Sequence, residues 1–148
     1  MAYTFWSLKG TYAQNVLQSI SPFFPDHKVP EAFAKKIQFY IQFCLMYNDW
    51  LSSIRGFSMT EEERLLTSYM AACSPLTDEY QDSTNQKITI ASFSELEHPF
   101  AKSASLLLQK IKKKSNHAEE VMSSLKNLLE IQNVSLAQKE EGKSKDWF

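Results

Sequence analysis

Glycine is scarce in this sequence, and neither sign of charge is in excess. Only three of the 148 residues are glycine, which excludes a glycine-rich phosphate loop and argues against a turn-rich all-β fold. Sixteen Lys and Arg residues stand against seventeen Asp and Glu, so the formal net charge is −1. Because nucleic-acid-binding domains usually carry a strongly basic surface, this balance predicts no nucleic-acid partner.

Cysteine is also scarce, and long apolar runs are missing. Cys44 and Cys73 lie within apolar helical patterns and are interpreted as small buried hydrophobic residues of a reducing compartment. The longest apolar candidate, residues 37–51, is interrupted by polar side chains, so no membrane span is predicted. The first residues lack the basic and apolar regions of a secretory signal. A cytoplasmic protein is therefore expected.

The residues that are present favour a helical protein. The chain is 43% hydrophobic and 13% aromatic, which is enough to build a core. Apolar residues at helical spacing predict an all-α bundle of five to six helices in a single domain, residues 1–148. The predicted helices cover residues 3–20, 31–55, 61 to about 75, 95–113 and 117–140, the last capped by Asn116 with Glu119 three residues on. Residues 83–94 are expected to form a polar connector, with residues 88–90 as an edge strand or lid, and residues 141–148 a tail.

The second predicted helix carries two apolar stripes. One contains Phe33, Ile37, Tyr40, Ile41, Cys44, Leu45 and Leu51, and the other contains Phe39, Phe43, Met46 and Trp50. A helix that is apolar on two sides is usually packed by neighbours all round. This helix is therefore predicted to be the central one.

Two local signals bound the third helix. Thr60 and Glu63 have the spacing of a capping box, which gives a structural role to the acidic residues at this point. Pro75 is predicted to end or kink the helix, because proline removes one backbone hydrogen bond and crowds the preceding turn.

One acidic motif carries most of the functional signal. It runs Asp78-Glu79-Tyr80-Gln81-Asp82. If the segment is helical, Asp78 and Asp82 lie one turn apart on the same face. Oxygen ligands of this kind suit Mg²⁺, which completes its shell with water and substrate phosphates. The alternative is a solvated acidic turn between two helices.

This motif resembles the aspartate-rich D-D-x-x-D motif of class I isoprenoid synthases, the all-helical prenyltransferases and terpene synthases. Asp78 and Asp82 match the first and last aspartates, and Glu79 stands at the second. The resemblance implies that Asp78, Glu79 and Asp82 bind Mg²⁺ and that the substrate is an isoprenyl diphosphate. It further implies a pocket lined by aromatic residues, for which Phe43 and Tyr47 are candidates.

Arg55 is a candidate for binding the substrate diphosphate, because Arg55 and Arg64 are the only arginines in the chain and a guanidinium can grip phosphate through two hydrogen bonds. The second metal motif of the family is not found after Ser83, and the family fold is much longer than this chain. The resemblance therefore covers the N-terminal half of such an enzyme at most.

A second hypothesis belongs to a different class of function. The chain would be a non-catalytic helical bundle that pairs with itself or with another protein, and residues 78–82 would be a solvated helix end. A half-domain would expose a wide apolar face and would have to form an oligomer to cover it. The two hypotheses differ in whether the aspartates point into an apolar cavity or out to water.

Overall fold

A computed structural model describes residues 2–142, and it describes the side chains of residues 10–139 and 141–142. This part of the chain contains five α-helices, three short 3-10 helices and no strand. The α-helices are α1 (Ala2–Ile20), α2 (Glu31–Ile54), α3 (Glu61–Thr84), α4 (Pro99–Lys114) and α5 (Ala118–Glu140). The all-α prediction is confirmed. None of the described helices is long and apolar enough to cross a membrane.

Local signals explain where α2 and α3 begin and end. Pro30 precedes the first turn of α2, and Gly56 follows its end with φ of 80°, a backbone conformation that glycine adopts without strain. The predicted capping box of α3 is confirmed. The Glu63 carboxylate accepts from the Thr60 N–H at 2.7 Å, and the Glu63 N–H donates to the Thr60 hydroxyl at 3.2 Å.

Pro75 does not end α3, contrary to the first alternative of the prediction. The helix continues for more than two turns beyond it and stops at Asn85, whose backbone is left-handed with φ of 54°. Pro75 is fully buried. Packing of the helix against its neighbours therefore outweighs the loss of one backbone hydrogen bond.

The central helix of the bundle is α3, and the prediction that α2 has this position is wrong. Helix α3 contacts α1, α2, α4 and α5, whereas α1 and α3 pack on one side of α2. The first predicted stripe of α2 is accordingly buried, at Phe33, Ile37, Ile41 and Leu45. The second stripe is exposed in the part of the chain that the structure describes.

The core is formed by apolar side chains from all five helices. It contains, among others, Val16 and Ile20 of α1, Ile37, Ile41 and Leu45 of α2, Tyr69, Cys73, Leu76 and Tyr80 of α3, Ala104, Leu107 and Ile111 of α4, and Leu125 and Leu129 of α5. The interpretation of the two cysteines is confirmed in part: Cys73 is buried, Cys44 is half-buried, and both are free thiols.

The connector between α3 and α4 is irregular, so the edge-strand alternative for residues 88–90 is wrong within the described residues. Ile88 is nevertheless fully buried. The Asn133 side chain of α5 accepts from the Ile88 N–H at 3.0 Å and donates to the Ile88 C=O at 2.8 Å. One amide side chain thus replaces the neighbouring strand that Ile88 lacks.

Two helix starts differ from the prediction. Helix α4 begins at Pro99 because His98 caps it, its ring accepting from the Phe100 N–H at 3.3 Å. Residues 93–95 instead form a separate 3-10 turn. Helix α5 is preceded by His117 without a side-chain cap, so the predicted Asn116 cap is wrong. Residues 143–148 of the predicted tail lie outside the described residues.

Candidate functional site

The acidic motif lies in the last two turns of α3. Because α3 continues through Pro75, Asp78 and Asp82 are one helical turn apart, as the proposed metal site requires. The side chains of Asp78, Glu79 and Asp82 are 41%, 37% and 47% exposed, respectively. The three carboxylates are thus accessible from solvent.

Each carboxylate is paired with a lysine of a neighbouring helix. Lys36 Nζ of α2 lies 3.2 Å from Asp78 Oδ2 and 3.4 Å from Glu79 Oε2. Lys139 Nζ of α5 lies 2.9 Å from Asp82 Oδ1. These two lysines neutralise the repulsion between acidic groups on one helix face.

The ion pairs also change the acidity of the lysines. Partial burial lowers the pKa of Lys36, but its hydrogen bond and attraction to Asp78 and the charge of Glu79 outweigh burial, and the pKa is raised. The hydrogen bond to Asp82 raises the pKa of Lys139. Both lysines are therefore charged at neutral pH, and they compensate two of the three negative charges at the acidic edge.

A cation at this edge would have to compete with the two lysines. The residues described by the structure include no group of three or more His, Cys, Asp or Glu side chains placed to hold a metal ion. Binding of Mg²⁺ by Asp78, Glu79 and Asp82 stays a prediction. The histidines likewise form no metal cluster within the described chain.

The predicted substrate-binding residues lie elsewhere on α2. Phe43 and Tyr47 are each about half exposed on the surface of the helix. Arg55 follows the last residue of α2, whereas Lys36, which contacts the acidic motif, lies in its second turn. At 1.5 Å per residue, Arg55 is about 28 Å along the helix from Lys36. The structure therefore does not bring Arg55 together with the acidic motif.

A continuous apolar surface runs along the solvent side of α2. We call it the outer face, and its members are Phe39, Phe43, Met46, Tyr47, Trp50 and Ile54, which are 42% to 65% exposed. Phe57, which follows the end of the helix, is also about half exposed. The rings of Phe39 and Phe43 stack with centroids 6.3 Å apart, and those of Tyr47 and Trp50 lie 6.2 Å apart. These rings contact one another but are not removed from water.

The outer face carries no charged side chain. Between residues 39 and 54 the one residue charged at neutral pH is Asp49, and it faces α3. Its carboxylate oxygens lie 3.1 Å from the two terminal nitrogens of Arg64, and the carboxylate is 16% exposed. This two-bond ion pair holds α2 on α3 and leaves the outer face apolar.

An apolar cleft lies between the connector and α5. Its volume is about 760 Å³, and its walls include Ile88, Ile90, Met122, Leu129 and Asn133. Its walls also include Lys112, Lys126, Glu119 and Glu130, which bring charges of both signs.

A polar network that sequence reasoning missed joins α3 to α5. The Thr77 hydroxyl lies 2.8 Å from Gln132 Oε1, and Gln132 Nε2 donates to the Ser74 carbonyl at 3.3 Å. The amide of Gln81 donates to Asn133 Oδ1. Gln132 follows Leu125 and Leu129 at helical spacing, and this is the one sequence signal for a polar contact on the inner side of α5.

Comparison with known proteins gives no similarity: no protein family, no curated protein and no solved structure matches this chain.

Proposed function

We propose that this protein is a non-catalytic helical bundle that binds protein through the outer face of α2. The observation that carries the proposal is the apolar outer face itself, which is continuous, free of charge and about half exposed. Soluble monomers rarely expose apolar patches of this extent, and such patches typically mark interaction sites.

The composition of the outer face supports the same function. Its residues are Phe, Met, Tyr, Trp and Ile, and aromatic residues and methionine are enriched where proteins meet. Trp and Tyr also dominate the residues that contribute most binding energy. Because the side chains project from one regular helix supported by α1 and α3, the surface is already ordered before a partner arrives.

Photo-crosslinking in cells tests the proposed function. A photoreactive phenylalanine analogue replaces Phe43, and in a control protein it replaces Asn127, which is exposed on α5. We expect discrete adducts, with this chain or another protein, from position 43 and not from position 127. Equal labelling at both positions, or none at either, would contradict the proposed function.

Binding of an Mg²⁺–isoprenyl diphosphate complex at residues 78–82 is a second candidate function. It is supported by the helical placement of Asp78 and Asp82 one turn apart and by their access to solvent. A ligand would have to displace Lys36 and Lys139 from the carboxylates, or recruit the lysines to its own phosphates.

Thermal denaturation with Mg²⁺ and inorganic diphosphate tests this candidate. A ligand present at 100 times its dissociation constant adds about 2.7 kcal/mol to folding stability, so the melting temperature should rise only when both are present. The rise should be absent in an Asp78→Asn, Asp82→Asn variant. A matched control is Glu97→Gln, Glu130→Gln, which also removes two lysine-paired carboxylates. A rise that persists in the Asp variant, or no rise in the wild type, excludes this site.

A further inference from the structure

We infer that the partner of the outer face is a second copy of this chain, with the two α2 helices packed antiparallel about a two-fold axis between Met46 and Tyr47. The inference rests on the proposed function and names its partner. In such a dimer each copy contributes the same surface, so residues must complement their own mirror positions along the helix.

The outer face has this self-complementary pattern. Its six members form three pairs that are symmetric about the midpoint between Met46 and Tyr47: Phe39 with Ile54, Phe43 with Trp50, and Met46 with Tyr47. In an antiparallel dimer each apolar side chain of one copy would therefore meet an apolar side chain of the other. Two copies can therefore cover each other's outer faces without placing a polar residue against an apolar one.

Charges along α2 agree with the same arrangement. About the same axis, Arg55 would stand opposite Gln38, whereas Asp49 faces α3 and is bound there by Arg64. No charged residue of α2 would stand opposite a residue of like charge, which would disfavour pairing. The charged residues of the first turns are compensated within each copy, since Lys35 pairs with Glu31 at 2.8 Å and Lys36 pairs with Asp78.

The exposed area is close to what a stable dimer needs. An aromatic side chain presents about 150–250 Å², so half-exposed rings plus Met46 and Ile54 offer roughly 600–700 Å² on each copy. A standard protein–protein interface buries about 800 Å² per partner. Rim contacts around the outer face would supply the remainder.

The first test is the mass of the purified 148-residue chain in solution, measured by sedimentation equilibrium over a range of concentrations. We expect twice the monomer mass of 17.1 kDa. Phe43→Glu and Trp50→Glu should each weaken dimerisation more than about tenfold. Ile131→Glu is the matched control, because Ile131 is 68% exposed on α5 and lies outside the outer face. Circular dichroism and thermal melts show that each variant is folded.

Engineered cysteines then test the orientation of the two helices. Met46→Cys lies next to the proposed axis. Two chains that carry this change should form a disulfide between their residues 46. Phe39→Cys should not, because the two positions would be about 22 Å apart along the helices. A mixture of Phe39→Cys and Ile54→Cys proteins should form the mixed disulfide.

The native cysteines should not form disulfides that compete with those of the engineered cysteines. Burial raises the pKa of Cys44 and raises that of Cys73 to about 12, so neither thiol ionises readily to the reactive thiolate. Wild-type protein under the same oxidising conditions is the control.

The outcomes separate this inference from the proposed function. A monomer at all concentrations overturns the dimer, and if Phe43 still crosslinks to another protein the proposed function stands. A monomer without crosslinks overturns both. If the Phe43→Glu and Trp50→Glu variants still form the dimer, the dimer interface lies on another surface, and the inference is overturned. Disulfides between two copies of Phe39→Cys would indicate parallel helices and overturn the antiparallel arrangement.

Discussion

At the scale of single residues, Asn133 joins three parts of the molecule. Its amide pairs with both backbone groups of Ile88 and accepts from Gln81 of α3. The amide of Asn133 is half-buried, but Ile88 and Gln81 are buried, so each of these partners would otherwise lose a hydrogen bond in the protein interior.

Replacing Asn133 by leucine should therefore destabilise the fold. The change keeps the size of the side chain but leaves the Ile88 backbone and Gln81 without this partner. Each buried unpaired polar group costs about 1–3 kcal/mol, and we expect a loss in that range or above by urea denaturation. Asn127→Leu, on the exposed side of α5, is the control and should change stability little. Equal losses in both variants would argue against a special role for Asn133.

Tyr12 makes the stability of the fold depend on pH in the alkaline range. Burial and a hydrogen bond to Glu61 raise its pKa from 10.0 to about 12. Because the folded state favours the neutral phenol, this contribution is complete below about pH 10 and is lost as the pH rises toward about 12. Tyr12→Phe should reduce the fall in unfolding free energy between about pH 10 and about pH 12. An unchanged pH dependence in urea titrations would contradict this assignment.

At the acidic motif, the sequence could predict the relation between the acidic residues but not their ion pairs with distant lysines. Helical spacing placed Asp78 and Asp82 one turn apart, because that relation depends only on the local backbone. Their partners Lys36 and Lys139 lie 42 and 57 residues away along the chain. No local pattern indicates which lysine a distant helix brings to a carboxylate, so the compensation of the acidic edge was not predictable.

At the scale of secondary-structure elements, the boundaries of α2 and α3 follow from local chemistry. Pro30, Gly56 and the Thr60–Glu63 capping box act within a few residues of where they stand, and the capping box is where the sequence predicted it. Packing partners follow different rules. Both stripes of α2 are apolar, and which of them is covered depends on where α1 and α3 dock.

The capping box provides a test at this scale. Thr60→Ala removes the hydroxyl that accepts from the Glu63 N–H and should cost about 1 kcal/mol of folding stability. Glu63→Gln should cost less, because a glutamine side chain can also accept from the Thr60 N–H and is an accepted member of the motif. Urea denaturation of the two variants compares them directly. A larger loss for Glu63→Gln would mean that its charge at the helix start matters more than its hydrogen bond.

At the scale of the whole molecule, α3 organises the bundle. The Asp49–Arg64 pair and the Lys36–Asp78 pair tie α2 to α3 at two levels, and the Asp82–Lys139 pair ties α5 to it. The exposed pairs contribute little on their own, so the buried side chains of α3 supply most of the cohesion. The way in which the helices pack together buries one side of α2 and leaves the outer face exposed.

The position of α5 determines which part of the molecule should unfold locally first. This helix comes last in the bundle, packs on α3 and α4, and is fastened to the connector through one amide. Segments with fewer buried contacts open more often and exchange their amide hydrogens faster than the rest. In deuterium-exchange mass spectrometry we expect α5 and residues 85–92 to exchange together and early, while α3 exchanges at the rate of global unfolding. Asn133→Leu should accelerate exchange in both segments and leave α1 and α2 unchanged.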